Sequence, residues 1–156
     1  VEIDDHGGGE MKLCIVSSCG GHLTEVRSLR DVYANSEHFY VLNDKAILPK
    51  DMEGRTHFIR HSERDWLFLS NLWEAWRILR TEKPDLILST GAGPAVPFAI
   101  AGKLLSIPNI FIETLTRVNQ PSLTGRIMYR LADRFFYQWP GLKEFFPRGT
   151  YGGSLV

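Results

Sequence analysis

Cysteine is scarce. The 156-residue chain holds two, Cys14 and Cys19, too few for a disulfide framework and not spaced as zinc ligands. Cys14 alternates with apolar neighbours and is expected to be a buried thiol, while Cys19 is expected to be a reduced cytosolic thiol in a loop. No apolar run reaches the roughly 18 residues of a membrane-spanning helix. Residues 1–10 are acidic and glycine-rich, without the apolar core of a signal peptide, and are expected to form a disordered leader outside the fold. Net charge is absent too. Lys and Arg number 18 against 18 Asp and Glu, so global electrostatics gives no reason to expect a nucleic-acid partner. There is no internal repeat, Ser-His-Asp arrangement, metal-ligand cluster or Walker-type lysine.

One local imbalance breaks the neutrality. Between Arg117 and Arg134 lie four arginines, Arg117, Arg126, Arg130 and Arg134, against Asp133 alone. That excess faces either anionic groups, such as lipid head groups or a diphosphate, or simply solvent.

What is present is an alternation of short apolar runs and amphipathic stretches. Lys12 to Ser17 reads as a buried strand and Leu23 to Ala34 as a helix with Leu23, Val26, Leu29, Val32 and Tyr33 on one face. His38–Leu42 is a second strand and Thr56–Arg60 a weaker third. Asp85–Thr90 and Asn109–Glu113 are strands separated by a helix over Pro94–Leu105, with Pro94 in its first turn, where a missing N–H costs nothing. A helix ending near Leu131 leads to a sixth strand over Asp133–Trp139, and Tyr151–Val156 begins a seventh. This order predicts one α/β domain over residues 11–156, with a doubly wound parallel sheet.

The stretch Trp66–Arg80 is a helix with too much apolar surface. Phe68, Leu69, Leu72, Trp73, Ala75, Trp76 and Leu79 cover nearly half its circumference, with Trp66 at the edge and Leu67 and Ile78 on the polar side. Covering a sheet needs a stripe of about 100°. The excess calls for a second apolar contact, a partner protein or the membrane interface where tryptophan concentrates, unless the helix is wedged under a long loop.

Three strand ends bring chemistry to one sheet edge. Ser17-Ser18-Cys19-Gly20-Gly21-His22 joins the first strand to its helix, Gly91-Ala92-Gly93 follows the fourth strand, and Glu113-Thr114 follows the fifth. Glycines admit a ligand close to backbone N–H groups, and helix N-termini favour anions, so a phosphorylated or hydroxyl-rich ligand suits this edge. A nicotinamide site fits poorly, because His22-Leu23-Thr24 lacks the third glycine of G-x-G-x-x-G, although Asp44 lies at a plausible spacing for a ribose contact. His22 is either a general base, for which a neutral imidazole is suited near neutral pH, or a residue that shapes its loop. Glu113 is positioned either to orient an acceptor hydroxyl or to pair with an arginine.

The segments SSCGGHL, LILSTGAGPAVPFAIAGKLL, IFIET and LADRFFYQWPGL together resemble the acceptor-side subunit of two-component glycosyltransferases of the MurG-like group (family 28, GT-B fold). Bacterial members are of the PssD type, acting in capsule and exopolysaccharide assembly. The eukaryotic relative is the membrane subunit that recruits the catalytic subunit of the UDP-GlcNAc transferase of dolichol-linked glycan synthesis. The resemblance implies the N-terminal, acceptor-binding half of a GT-B fold. It implies a separate donor-binding partner (PssE-like) that holds most of the UDP-sugar, and inverting transfer to a polyprenyl-diphosphate-linked saccharide without bound metal or other cofactor.

Residue by residue, Gly20, Gly21 and His22, with the neighbouring Ser18, match the loop facing acceptor and sugar diphosphate. Gly91, Ala92 and Gly93 match the second acceptor loop. Glu113 matches the acidic position after the fifth strand, and Thr114, Arg117 and Asn119 extend the same wall. Trp66, Phe68, Trp73 and Trp76, with nearby arginines, become a surface for the cytosolic membrane face or for the partner. The eukaryotic relatives' N-terminal membrane anchor has no counterpart here, which leaves peripheral binding or recruitment through the partner. A non-catalytic adaptor that presents the acceptor and recruits the partner is the competing reading, and an NAD(P)-binding domain a third.

Overall fold

The computed structural model describes residues 11–43, 48–60, 67–91 and 93–155. The expected leader, Asp44, Trp66 and Ala92 lie outside the described residues. The short apolar, β-branched runs become β1 (Lys12–Val16), β2 (Glu37–Asn43), β3 (Thr56–Ile59), β4 (Leu86–Ser89), β5 (Asn109–Ile112) and β6 (Arg134–Tyr137), with a two-residue β7 (Thr150–Tyr151). They form a seven-stranded sheet in the order β3-β2-β1-β4-β5-β6-β7, and every neighbouring pair is parallel. The chain order reverses between β1 and β4. At such a switch point the loops leaving two adjacent strands diverge and open a crevice at the carboxyl edge. The doubly wound parallel sheet expected from the sequence is therefore the one observed.

The helices are α1 (Gly21–Ser28), α2 (Arg30–Tyr33), α3 (Leu67–Glu82), α4 (Ala95–Leu104) and α5 (Leu123–Leu131). Side-chain alternation along β1 divides the core between the two faces of the sheet. Cys14 and Val16 pack with Ala75, Ile78 and Leu79 of α3 and Phe98 of α4. Leu13 and Ile15 pack with Leu23, Val26 and Tyr33 of α1 and α2. Further along, Phe111 and Phe135 join Met128 of α5, Leu142 and Phe146 in a third cluster. Burial pushes the Cys14 thiol well above its ordinary range, so it is a protonated, inert core group, as expected. Among the described residues no helix is long and apolar enough to cross a membrane.

Three sequence expectations change. The helix predicted over Leu23–Ala34 is two helices that meet at Leu29, whose φ and ψ are −87° and 6°. Leu29 N donates to Val26 O at 3.2 Å, and this tighter turn resets the helical phase. Tyr33 then drops into the core, with its hydroxyl donating to Val26 O at 3.3 Å, while Val32 is left 78% exposed.

On α3 the buried face is rotated from the predicted arc. Asn71, Ala75, Ile78 and Leu79 are buried. Ile78, expected on the polar side, lies in the core because Asn71 is drawn inward, its Nδ2 donating to Arg60 O at 3.0 Å. Finally, the seventh strand covers Thr150–Tyr151 rather than Tyr151–Val156. Beyond it the chain leaves the ladder, and Leu155 N donates to Gln138 Oε1.

Candidate functional site

The three loops converge at the switch point and are laced together through α1. Gly20 caps α1 with φ +85° and ψ −137°, a region that a side chain would strain. Leu23 N and Thr24 N donate to Gly20 O, at 3.1 and 3.2 Å. A Cβ on Gly20 or Gly21 would meet nothing within 4 Å, so both backbones are open to a ligand. Ser18 is buried beneath them. Cys19 N donates to Asn43 Oδ1 at 3.1 Å, which ties the loop to the end of β2.

His22 faces the second glycine loop. Its Nδ1 lies 3.1 Å from Thr90 O, and Thr90 Oγ1 donates to His22 O at 3.0 Å. A carbonyl only accepts, so this bond places a proton on Nδ1, and in the neutral ring Nε2 carries the lone pair. Gly91, with φ +119°, packs directly beneath the imidazole. A Cβ there would come within 3.3 Å of both Cε1 and Nδ1. The glycine is thus required twice, by its backbone angle and by the ring above it. Gly93 is exposed at the start of the turn into α4.

Glu113 is turned inward. Its side chain is completely buried, and among the described residues it pairs with no arginine. Its carboxylate accepts from Thr114 N (3.0 Å), Ser122 N (3.2 Å) and Ser122 Oγ (2.8 Å). Ser122 in turn caps α5, accepting from Gly125 N at 2.7 Å. Gly125 is held against this carboxylate so closely that any Cβ would overlap Glu113 Oε2. The physical reason is the helix N-terminus: its unsatisfied N–H groups and positive end draw the carboxylate inward.

Glu25 was not singled out in the sequence, and it completes the site. It is buried on α1 between Leu23 and Val26, and its Oε1 accepts from Thr114 Oγ1 (2.8 Å) and Leu115 N (3.1 Å). Its Oε2 is buried without a hydrogen-bond partner among the described residues. The one sequence signal is a carboxylate set between two apolar residues of the inward face. α1 therefore grips both neighbouring loops, through His22 on one side and Glu25 on the other.

Arg117 and Asn119 lie exposed on the loop beyond Thr114, which is fastened by Trp139 Nε1 donating to Leu115 O at 2.7 Å. No hydrogen bond joins either residue to His22 among the described residues. Nor do three His, Cys, Asp or Glu side chains come together there as a metal would need. Trp73 and Trp76 lie apart from this edge, on α3. Trp73 is 61% exposed and stacks on Trp76 with ring centres 5.2 Å apart. Arg80 lies 4.8 Å from the Trp76 ring centre, and Phe68 is half-buried. Leu69, Trp73 and Arg80 form one exposed stripe on α3, and the half-buried Trp76 joins it to the core.

Comparisons with known proteins converge. The family model described as "Oligosaccharide biosynthesis protein Alg14 like" matches residues 65–155. The UDP-N-acetylglucosamine transferase subunit ALG14 of Homo sapiens is 28% identical over 180 residues, covering 94% of this chain and 83% of that protein. Among solved structures, Acinetobacter baumannii MurG superposes with a TM-score of 0.71 at 18% identity over 83% of this chain. The UDP-GlcNAc 2-epimerase of Methanocaldococcus jannaschii superposes with a TM-score of 0.66 at 16% identity over 88%. The chain spans 42% of the length of each of these two structures.

Proposed function

This chain belongs to the Alg14-like family of oligosaccharide biosynthesis proteins and carries the Rossmann-like sheet of the N-terminal half of a GT-B fold, and on that premise we propose that it is the acceptor-binding subunit of a glycosyltransferase. It holds a lipid-diphosphate-linked saccharide at the carboxyl edge of the sheet and recruits a donor-binding partner that carries most of the UDP-sugar. The product is a lipid-linked oligosaccharide, in a PssD-type exopolysaccharide or capsule assembly. The relatives' description as a transferase subunit supports a heteromeric enzyme.

The observation that carries the reading is the clasp between His22 and Thr90 beside Gly91. It leaves Nε2 with a lone pair. In an inverting transfer, the acceptor hydroxyl oxygen attacks the anomeric carbon of the donor sugar and passes its proton to Nε2. The carbon–oxygen bond to the nucleoside diphosphate breaks, and that group leaves with the bonding electrons. The imidazolium so formed keeps its Nδ1–H bond to Thr90 O. Ser18, Gly20, Gly21 and Gly93 line the approach of the acceptor, with Thr114, Arg117 and Asn119 along the far wall. Glu113 acts through α5 rather than on the substrate.

Substituting His22→Ala in the chain reconstituted with its partner tests this. Transfer is expected to fall by about two to four orders of magnitude, the worth of a positioned base, with complex formation intact. The same clasp also supports the adaptor reading, in which His22 only ties two loops together. Survival of transfer in an intact His22→Ala complex overturns the catalytic role and establishes that alternative.

The chain meets the membrane at its cytosolic face, directly or through the partner. The stripe of Leu69, Trp73 and Trp76 on α3, flanked by Arg80, provides the apolar and cationic groups that such a surface needs.

A further inference from the structure

The arginine excess noted in the sequence has a place in the fold. Between α4, α5 and the turn after Leu142 runs a groove of about 690 Å³ whose lining includes Arg126, Arg130 and Arg148. Its remaining walls are largely apolar, with Val96, Ile100, Ile127 and Phe145 among them, and no acidic side chain lines it. Some cations elsewhere are paired with carboxylates: Arg27 and Arg30 share Asp51, and Lys12 bridges Glu37 and Glu82. Among the described residues none of the three groove arginines has a carboxylate partner.

Two of these arginines are instead set against aromatic rings. The Arg126 guanidinium lies 5.8 Å from the Phe145 ring centre, and that of Arg148 lies 5.1 Å from the centre of Tyr129. The wall itself is anchored, since Arg148 N donates to Tyr129 Oη at 2.7 Å. Ring stacking orients a guanidinium while leaving its N–H donors available to a phosphate. The groove also has a direction. Val96 lies in the first turn of α4, just past the second glycine loop, and Pro121 immediately precedes the Ser122 cap of α5. It therefore starts next to the candidate site and descends between the helices towards Arg130.

We propose that this groove seats the diphosphate and the first hydrocarbon units of the lipid-linked acceptor. A charged head with a hydrocarbon chain matches arginines set among isoleucine, valine and phenylalanine. A free anion would leave the apolar walls unused, and a neutral lipid would leave three cations uncompensated. This rests on the lipid-diphosphate acceptor of the preceding section, and it adds a place for the acceptor's lipid end beyond the glycine loops.

The test is calorimetric titration of the full chain with farnesyl diphosphate, beside inorganic diphosphate and vesicles containing phosphatidylglycerol. Farnesyl diphosphate is expected to saturate a single site. Arg126→Gln/Arg130→Gln should weaken it by about tenfold or more, as loss of charge-assisted hydrogen bonds implies. Ile127→Asp should weaken it comparably. All these side chains are at the surface, and unchanged circular dichroism confirms the fold.

Equal affinity of wild type and the arginine variant for farnesyl diphosphate overturns the proposal. So does inorganic diphosphate binding as tightly as the lipid, or an effect of the variants on vesicles alone. If the reconstituted pair transfers no sugar while arginine-dependent farnesyl diphosphate binding persists, the groove stands and the transferase reading falls.

Discussion

Glu113 and Glu25 are two carboxylates that the fold has taken inside, and each is held by donors. Around Glu113 every bond comes from an N–H or O–H group, so the side chain must be an acceptor at both oxygens. Glu113→Gln keeps the shape but turns an NH2 group towards one of those donors. Loss of a buried, charge-assisted bond of this kind costs about 1.5–3 kcal/mol. Denaturant titration is expected to show that loss, and an unchanged midpoint would remove the helix-capping role assigned here. The acidic residue after β5 was visible in the sequence, but its orientation was not, because its partners Ser122 and Gly125 lie nine and twelve residues on and meet it only once α5 has formed. Glu25 was less visible still. A carboxylate on an amphipathic helix reads as a solvent-facing charge, and Thr114, its partner, is 89 residues away.

At the scale of elements, α3 carries two separate tasks. Its inner side closes the core through Ala75, Ile78 and Leu79, while Leu69 and Trp73 point away from it. Replacing both outer residues, as Leu69→Ser/Trp73→Ser, should leave stability within about 0.5 kcal/mol, as for other exposed sites. Binding to anionic vesicles should fall, and retained binding would show that this stripe faces something other than lipid. The C-terminal end of the same helix is fastened to the sheet by charge. Lys12 Nζ donates to Glu82 Oε2 at 2.9 Å and bridges Glu37 at 3.0 Å, and His57 Nε2 lies 2.8 Å from Glu82 Oε1.

The hydrogen bond from Lys12 holds the Glu82 carboxyl below its usual range, and both glutamates hold the Lys12 ammonium above its own. A depressed carboxylate contributes stability that is present above its unfolded value and lost as pH falls through the folded one. The free energy of unfolding should therefore decline below about pH 4.3, and Lys12→Met should flatten that decline. An identical acid slope in the variant would remove the linkage. At the alkaline end the sign reverses, since the raised lysine contributes below its unfolded value and is lost as pH climbs through the folded one.

At the scale of the whole molecule, β1, β2, β4 and β5 were legible because buried parallel strands are short apolar runs bounded by glycine, proline or polar turns. The helix break at Leu29 was not, since the apolar spacing continues through it and only packing decides which of Val32 and Tyr33 meets the sheet. The site was half legible. Glycines and a histidine at strand ends marked the edge, but the clasp of His22 with Thr90 spans 68 residues and follows from strand order alone.

The two grips of α1 have a further consequence, in time rather than in space. The Leu115 amide sits in a loop, where exchange with solvent hydrogen is ordinarily fast, yet it donates to the buried Glu25. Its exchange requires α1 to lift from the neighbouring loop. That single amide thus becomes a clock for the opening of the cleft, and a ligand that clamps the loops will slow it.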